Sequence, residues 1–150
     1  MSPKKAAPKS ARTFLDTNVL VYLFDADEPA KQAAARRILN NSEIWGDPIL
    51  STQVLQELYV VTTRKLSRPL APPQALEVVR HLLAYPVVQL DGPHVTEAIE
   101  LSQRHQLSLW DALILTAARA GGCSRVLTED LHDGLEVEGV RVENPFREVA

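Results

Sequence analysis

Apolar positions in this chain fall into short uninterrupted runs separated by stretches with near-helical spacing, and that alternation sets the expected architecture. Thr13-Phe14-Leu15 is one such run, ending in Asp16-Thr17-Asn18, after which Val19, Leu20, Tyr22, Leu23 and Phe24 continue at near-helical spacing; strand, tight turn and helix are predicted. Residues 30–39, alanine- and arginine-rich behind Pro29, predict a surface helix with proline in its first turn. Pro48-Ile49-Leu50-Ser51 reads as a buried strand, and Ser51 or Thr52 is placed to cap a helix running to about residue 65. Pro72-Pro73 opens a helix to about residue 84, the β-branched 86–90 segment reads as a strand, and a helix follows over 93–105. A helix over 108–120 ends at Gly121-Gly122, and strands follow at 125–127 and 140–142. Short strands that are apolar throughout, alternating with helices, imply a mostly parallel sheet covered on both faces, a three-layer α/β/α sandwich.

With 150 residues and 45% hydrophobic side chains, the chain is expected to form one domain over 11–150 with a core that needs neither disulfides nor zinc. Residues 1–10 are basic, rich in Pro, Lys and Ala, and too polar to pack, so a flexible arm is expected there. There is no apolar leader and no apolar run of 18 residues, and the single cysteine, Cys123, suits a reducing compartment; a cytoplasmic protein, neither exported nor membrane-spanning, is expected. The net charge of −3 confines any nucleic-acid contact to local patches. Candidates are Lys4, Lys5, Lys9 and Arg12, then Arg36-Arg37, then Arg64-Lys65 with Arg68, each of which taken alone reads as solvated surface.

Four acids fall where such a sheet places ligands, beyond the carboxyl ends of its strands. Asp16 ends the first strand and Asp130 follows the 125–127 strand, while Glu57 and Asp111 lie near the starts of helices that begin at the same edge. Leu50, Val54, Glu57 and Val61 follow a 4-3-4 spacing that sets the Glu57 carboxylate in an apolar stripe. Asp111 sits in Leu109-Trp110-Asp111-Ala112-Leu113-Ile114-Leu115, apolar nearly all round, so the helix is expected to be central and its acid to have little access to water. Each acid also has an ordinary reading: a helix N-cap for Asp16, a capping box with Ser108 for Asp111, an ion pair with Arg64 or another base for Glu57, a turn for Asp130. One metal site accounts for all four at once. Two carboxylates about 5 Å apart repel by roughly 3 kcal/mol at an effective dielectric near 20, so four of them call for a cation or for protonation. All-oxygen donors select Mg²⁺ or Mn²⁺ over zinc or copper.

The stretches Phe14-Leu15-Asp16-Thr17-Asn18-Val19-Leu20, Val54-Leu55-Gln56-Glu57-Leu58, Leu109-Trp110-Asp111-Ala112-Leu113-Ile114, Leu127-Thr128-Glu129-Asp130-Leu131 and Asn144-Pro145-Phe146 together resemble the PIN-domain ribonucleases, specifically the VapC-like toxins of bacterial toxin–antitoxin pairs. The resemblance implies the PIN-like fold and a magnesium-dependent endoribonuclease that leaves 5′-phosphate and 3′-hydroxyl ends. It also implies a homodimer held inactive by a small antitoxin. By position, Asp16 and Asp111 correspond to the most direct metal ligands, Glu57 and Asp130 complete the set, Asp133 is a looser fifth acid, and Asn18 and Thr128 orient carboxylates or water. None of His81, His94, His105 or His132 lies in these motifs, so no histidine acid–base pair is expected.

Rival readings are weaker. A phosphatase that begins from two aspartates one residue apart would need an acid where Asn18 stands, and a phospho-receiver would need a lysine late in the chain, where none follows Lys65. A PIN-like module that binds RNA or protein without cutting is the alternative of a different class, and the four intact acids place it below the enzyme.

Overall fold

The structure, a computed structural model, describes residues 11–149, so the arm expected over residues 1–10 lies outside the described residues. Six strands form one sheet: β1 (Arg12–Leu15), β2 (Asp47–Ser51), β3 (Val87–Val88), β4 (Arg125–Leu127), β5 (Glu136–Val137) and β6 (Val140–Glu143). Their order across the sheet is β3-β2-β1-β4-β6-β5, parallel throughout except where β5 meets β6. The helices are α1 (Thr17–Val21), which continues into a 3-10 turn at Tyr22–Phe24, α2 (Pro29–Asn40), α3 (Ser42–Trp45), α4 (Thr52–Arg64), α5 (Pro72–Leu82), α6 (Gly92–His105) and α7 (Leu109–Ala120).

From β1 the chain steps outward to β2 and β3, then returns across the sheet to β4 on the other side of β1. Right-handed crossovers put the helices of the outward and returning legs on opposite faces. Packing agrees: α1 meets α4 and α4 meets α5, while α6 packs on α7. Both sheet faces are therefore covered, as the successive residues Phe14-Leu15 and Val126-Leu127 show, for each is at most 1% exposed although neighbours along a strand point to opposite faces.

The reversal between β1 and β4 is the switch point of the sheet, where loops diverge and leave a crevice. Register makes the two strand ends flush, since Leu15 lies opposite Leu127. The Asp16 N–H donates to the Leu127 carbonyl at 3.1 Å, and the Thr128 N–H donates to the Glu143 carbonyl at 3.0 Å. Asp16 and Thr128 thus leave the sheet side by side.

Three elements differ from expectation. The strand expected over 86–90 keeps only Val87–Val88, because it is an edge strand with one neighbour, its side chains half-buried, and Asp91 already serves as the N-cap of α6 by accepting from the His94 N–H. The β5–β6 hairpin was not foreseen; its turn places Glu138 and Gly139 at φ +52° and +84°, a left-handed pair that Asn-Gly usually announces and Glu-Gly does not. The short α3 was also missed. Asn41 caps it by accepting from the Ile44 N–H, and it ends at Gly46, whose φ of +82° and close approach to Thr13 leave no room for a side chain.

Candidate active site

Asp16 is held from two sides. Its Oδ1 accepts from the Thr17 N–H at 2.7 Å and its Oδ2 from the Thr128 hydroxyl at 2.8 Å, so the ordinary N-cap role and a place in a wider network coexist. Thr128 is fully buried and saturated: its Oγ1 also accepts from Asn18 Nδ2 at 3.0 Å and from the Asp130 N–H at 3.1 Å. Asn18 Nδ2 donates as well to Asp130 Oδ2 at 3.1 Å, and its Oδ1 accepts from the Glu129 N–H at 3.3 Å. One carboxamide from α1 therefore fixes the loop after β4.

Glu57 enters from α4, where Ser51 Oγ accepts the Val54 N–H and starts the helix at the same sheet edge. Its carboxylate accepts from Thr17 Oγ1 at 2.7 Å and from Gln53 Nε2 at 2.9 Å; no ion pair to Arg64 or any other base is present among the described residues. Glu57, Asn18, Tyr22, Val61 and Asp130 line a crevice of about 310 Å³, together with Asp25, an acid that follows a 3-10 turn in a polar stretch and carried no sequence signal.

The Asp16 carboxyl is pushed up to about 6, chiefly by burial, and the negative charges of Asp130 and Glu57 push it further against the two hydrogen bonds that favour the anion. Among the described residues no base relieves this cluster. Lys31, the nearest cation in the network, is committed to Glu129 and to the Tyr22 hydroxyl, both at 3.1 Å, and is pushed up to about 12, first by the bond to Tyr22. Tyr22 hydrogen-bonds Glu129 in turn and packs edge-on to Phe146, with ring centroids 4.8 Å apart. Sequence reasoning missed this Tyr22–Lys31–Glu129 buttress; the signal was the four-residue spacing that puts Asn18 and Tyr22 on one helical face.

Asp111 departs from expectation. It is half-buried at the first turn of α7, not sealed from water, and its neighbour Trp110 is 66% exposed. Only half of the capping box forms: Ser108 Oγ accepts the Asp111 N–H at 3.1 Å. The Asp111 carboxylate has no hydrogen-bond or ion-pair partner among the described residues, and its charge is not among those acting on Asp16. Asp133 lies elsewhere, accepting from the Asn144 N–H at 2.7 Å and from Arg147 at 2.6 Å, and its carboxyl is held low, first by the backbone bond. Asn144 Oδ1 accepts from the Phe146 N–H, so the closing Asn-Pro-Phe motif seats the ring that supports Tyr22. His81, His94 and His105 make their contacts outside this network, with the Glu77 carbonyl, Asp91 and Glu138.

The structure thus gathers Asp16, Glu57 and Asp130 with Asn18, Thr17 and Thr128, and keeps Asp111 and Asp133 outside that hydrogen-bonded set. No three His, Cys, Asp or Glu side chains among the described residues stand ready in coordinating geometry. The donor chemistry nevertheless fits a hard divalent cation: among the described residues it is carboxylate and hydroxyl oxygen without sulfur or imidazole, around a buried acid whose repulsion from its neighbours none of their bases offsets.

Fold and site together define an α/β domain with an acidic crevice at the switch point of a parallel sheet. The family profile described as PIN domain matches residues 13–132, and the chain belongs to that family. Among solved structures, a toxin–antitoxin complex from Klebsiella pneumoniae is similar at 21% identity over 89% of this chain and 97% of that one, with a TM-score of 0.66. VapC20 from Mycobacterium tuberculosis, a toxin that cleaves the sarcin–ricin loop, is similar at 20% identity over 76% and 86%, TM-score 0.60. DNA-bound VapBC from Salmonella typhimurium is similar at 23% identity over 90% and 98%, TM-score 0.61. At these identities the likeness is one of fold. No curated protein sequence matches this chain.

Proposed function

We propose that this protein is a divalent-metal-dependent endoribonuclease and the toxin of a toxin–antitoxin pair. The observation that carries the reading is the buried, doubly hydrogen-bonded Asp16, flanked by Glu57 and Asp130 with no base among the described residues to offset their charge. Asp16, Glu57, Asp130 and Asp111 would hold Mg²⁺ or Mn²⁺, which, when bound, supplies an activated water and stabilises charge on the phosphodiester oxygens. Thr128 and the Thr17 N–H fix the orientation of the Asp16 carboxylate, and Asn18 does the same for Asp130. Thr17 orients Glu57 across the crevice. The unpartnered Asp111 carboxylate is free to turn toward the site without breaking a bond.

The toxin assignment draws on the three solved neighbours, which are toxins or toxin–antitoxin complexes. It brings with it a cognate antitoxin, an RNA substrate, a homodimer and a cytoplasmic setting. The test is to incubate the antitoxin-free protein with structured RNA in Mg²⁺ or in EDTA. Cleavage in Mg²⁺ alone, leaving 5′-phosphate ends and abolished by Asp16→Asn, is expected. Equal cleavage in both conditions refutes metal dependence, and no cleavage in either leaves the binding module as the reading.

A further inference from the structure

The nuclease reading leaves two surface features unused, a large exposed aromatic and an unpaired basic cluster, and they meet at one cleft. Trp110 is the most exposed large hydrophobic residue described, at 66%, although it sits on the first turn of a helix whose middle, Ile114 to Ala118, is buried. Together with Val60, Val61, Lys65 and Glu57 it lines a cleft of about 480 Å³ between α4 and the start of α7. Glu57 and Val61 also line the acidic crevice, so the two adjoin along these side chains. Arg64, Lys65 and Arg68 at the end of α4 are exposed and form no ion pair among the described residues, whereas Arg80, Arg104, Arg119 and Arg147 each pair with an acid.

Resting on the proposed ribonuclease function, we infer that this cleft is a nucleobase-stacking subsite for single-stranded RNA. Trp110 offers its ring to an unstacked base beside the scissile phosphate, and the basic end of α4 takes neighbouring phosphates. An exposed indole beside an apolar wall suits a base face, and every base has one. The bases of a duplex are already stacked on one another and do not reach such a shelf, so the preferred strand is unpaired. The phosphates need cations that the acidic crevice cannot provide, and Lys65, which lines the cleft, supplies one, with the exposed Arg64 and Arg68 next to it along the chain.

The chain has two tryptophans, so Trp45→Phe leaves Trp110 as the sole emitter. That variant is titrated in EDTA, at fixed salt, with oligouridylate and with an abasic oligomer of equal length. Quenching by the base-bearing strand alone is expected. Alanine substitutions at stacking residues weaken binding about 5- to 150-fold per base, so Trp110→Ala should lose that factor for oligouridylate and bind both oligomers alike, while Trp110→Phe keeps most of it. Lys65→Ala should weaken both oligomers equally and flatten the salt dependence. Equal affinity for the two oligomers without quenching overturns the inference. So does a wild-type dimer that Trp110→Ala converts to monomer in sedimentation, which assigns Trp110 to a contact between copies. Base-dependent binding without Mg²⁺-dependent cleavage would keep the subsite and sink the nuclease reading; cleavage with base-independent binding would do the reverse.

Discussion

Asp16→Asn should abolish cleavage and yet make the metal-free protein more stable at neutral pH. Burial raises the Asp16 carboxyl from 3.8 to about 6, so the fold binds its proton more tightly than the unfolded chain does. The group's contribution is complete below the unfolded value and is lost as pH rises through about 6. Two units at 1.36 kcal/mol each cost about 3 kcal/mol at pH 7.5. Asparagine carries no charge and still accepts the Thr17 N–H. Its amide faces a Thr128 oxygen already accepting from Asn18 and from the Asp130 N–H, so one hydrogen bond of about 1 kcal/mol is forfeited. The net expectation is about 2 kcal/mol of stabilisation at pH 7.5 and about 1 kcal/mol of destabilisation at pH 4, where the carboxyl is protonated anyway. Urea midpoints of both proteins in EDTA at the two pH values measure it, and saturating Mg²⁺ should raise only the wild-type midpoint. Equal destabilisation at both pH values would show that Asp16 bears no burial cost and would refute the reasoning.

Thr128→Val should cost about 2–4 kcal/mol in urea, because a fully buried hydroxyl with partners on Asp16, Asn18 and the Asp130 N–H disappears, and Thr128→Ser should recover most of it. Its cleavage rate should fall about 10- to 100-fold, as when a group orienting a metal ligand is lost; unchanged activity would remove Thr128 from the site. Phe146→Ala should destabilise by about 3–5 kcal/mol and loosen Tyr22, read as a lower melting temperature together with weaker cleavage. Cys123 is buried and its thiol is pushed up to about 12, chiefly by burial, so a disulfide-exchange reagent at pH 8 should label it only on unfolding. Rapid labelling of the native protein would contradict that environment.

Sequence revealed the layered architecture because buried strands and amphipathic helices leave different periods, and Phe14-Leu15 or Val126-Leu127 can only be sheet interior. It was less informative where a choice depends on neighbours. Val87–Val88 stops early because its strand lies at the sheet edge, and the Glu138-Gly139 turn uses a residue with little preference for positive φ. At the site, position after a strand brought Asp16 and Asp130 together, and a charge in an apolar stripe found Glu57. The apolar surroundings of Asp111 suggested burial, yet its helix starts at the rim of the sheet, where the first turn meets solvent. For the Tyr22–Lys31–Glu129 group the spacing of Asn18 and Tyr22 marks one helical face, but the partner Glu129 lies 107 positions from Tyr22 and nothing local points to it.

The flush ends of β1 and β4 also govern when the crevice can exist. Asp16 is anchored by the carbonyl of Leu127 and the hydroxyl of Thr128, while Thr128 is anchored by the carbonyl of Glu143. A chain still on the ribosome, growing at about 5–20 residues per second, carries Asp16 early but cannot fix its carboxylate until residue 143 has emerged and β6 has paired with β4. Contacts so distant in sequence also form slowly. An acidic centre built this way is a late product of folding, present only once the strand that follows β4 in space has joined the sheet.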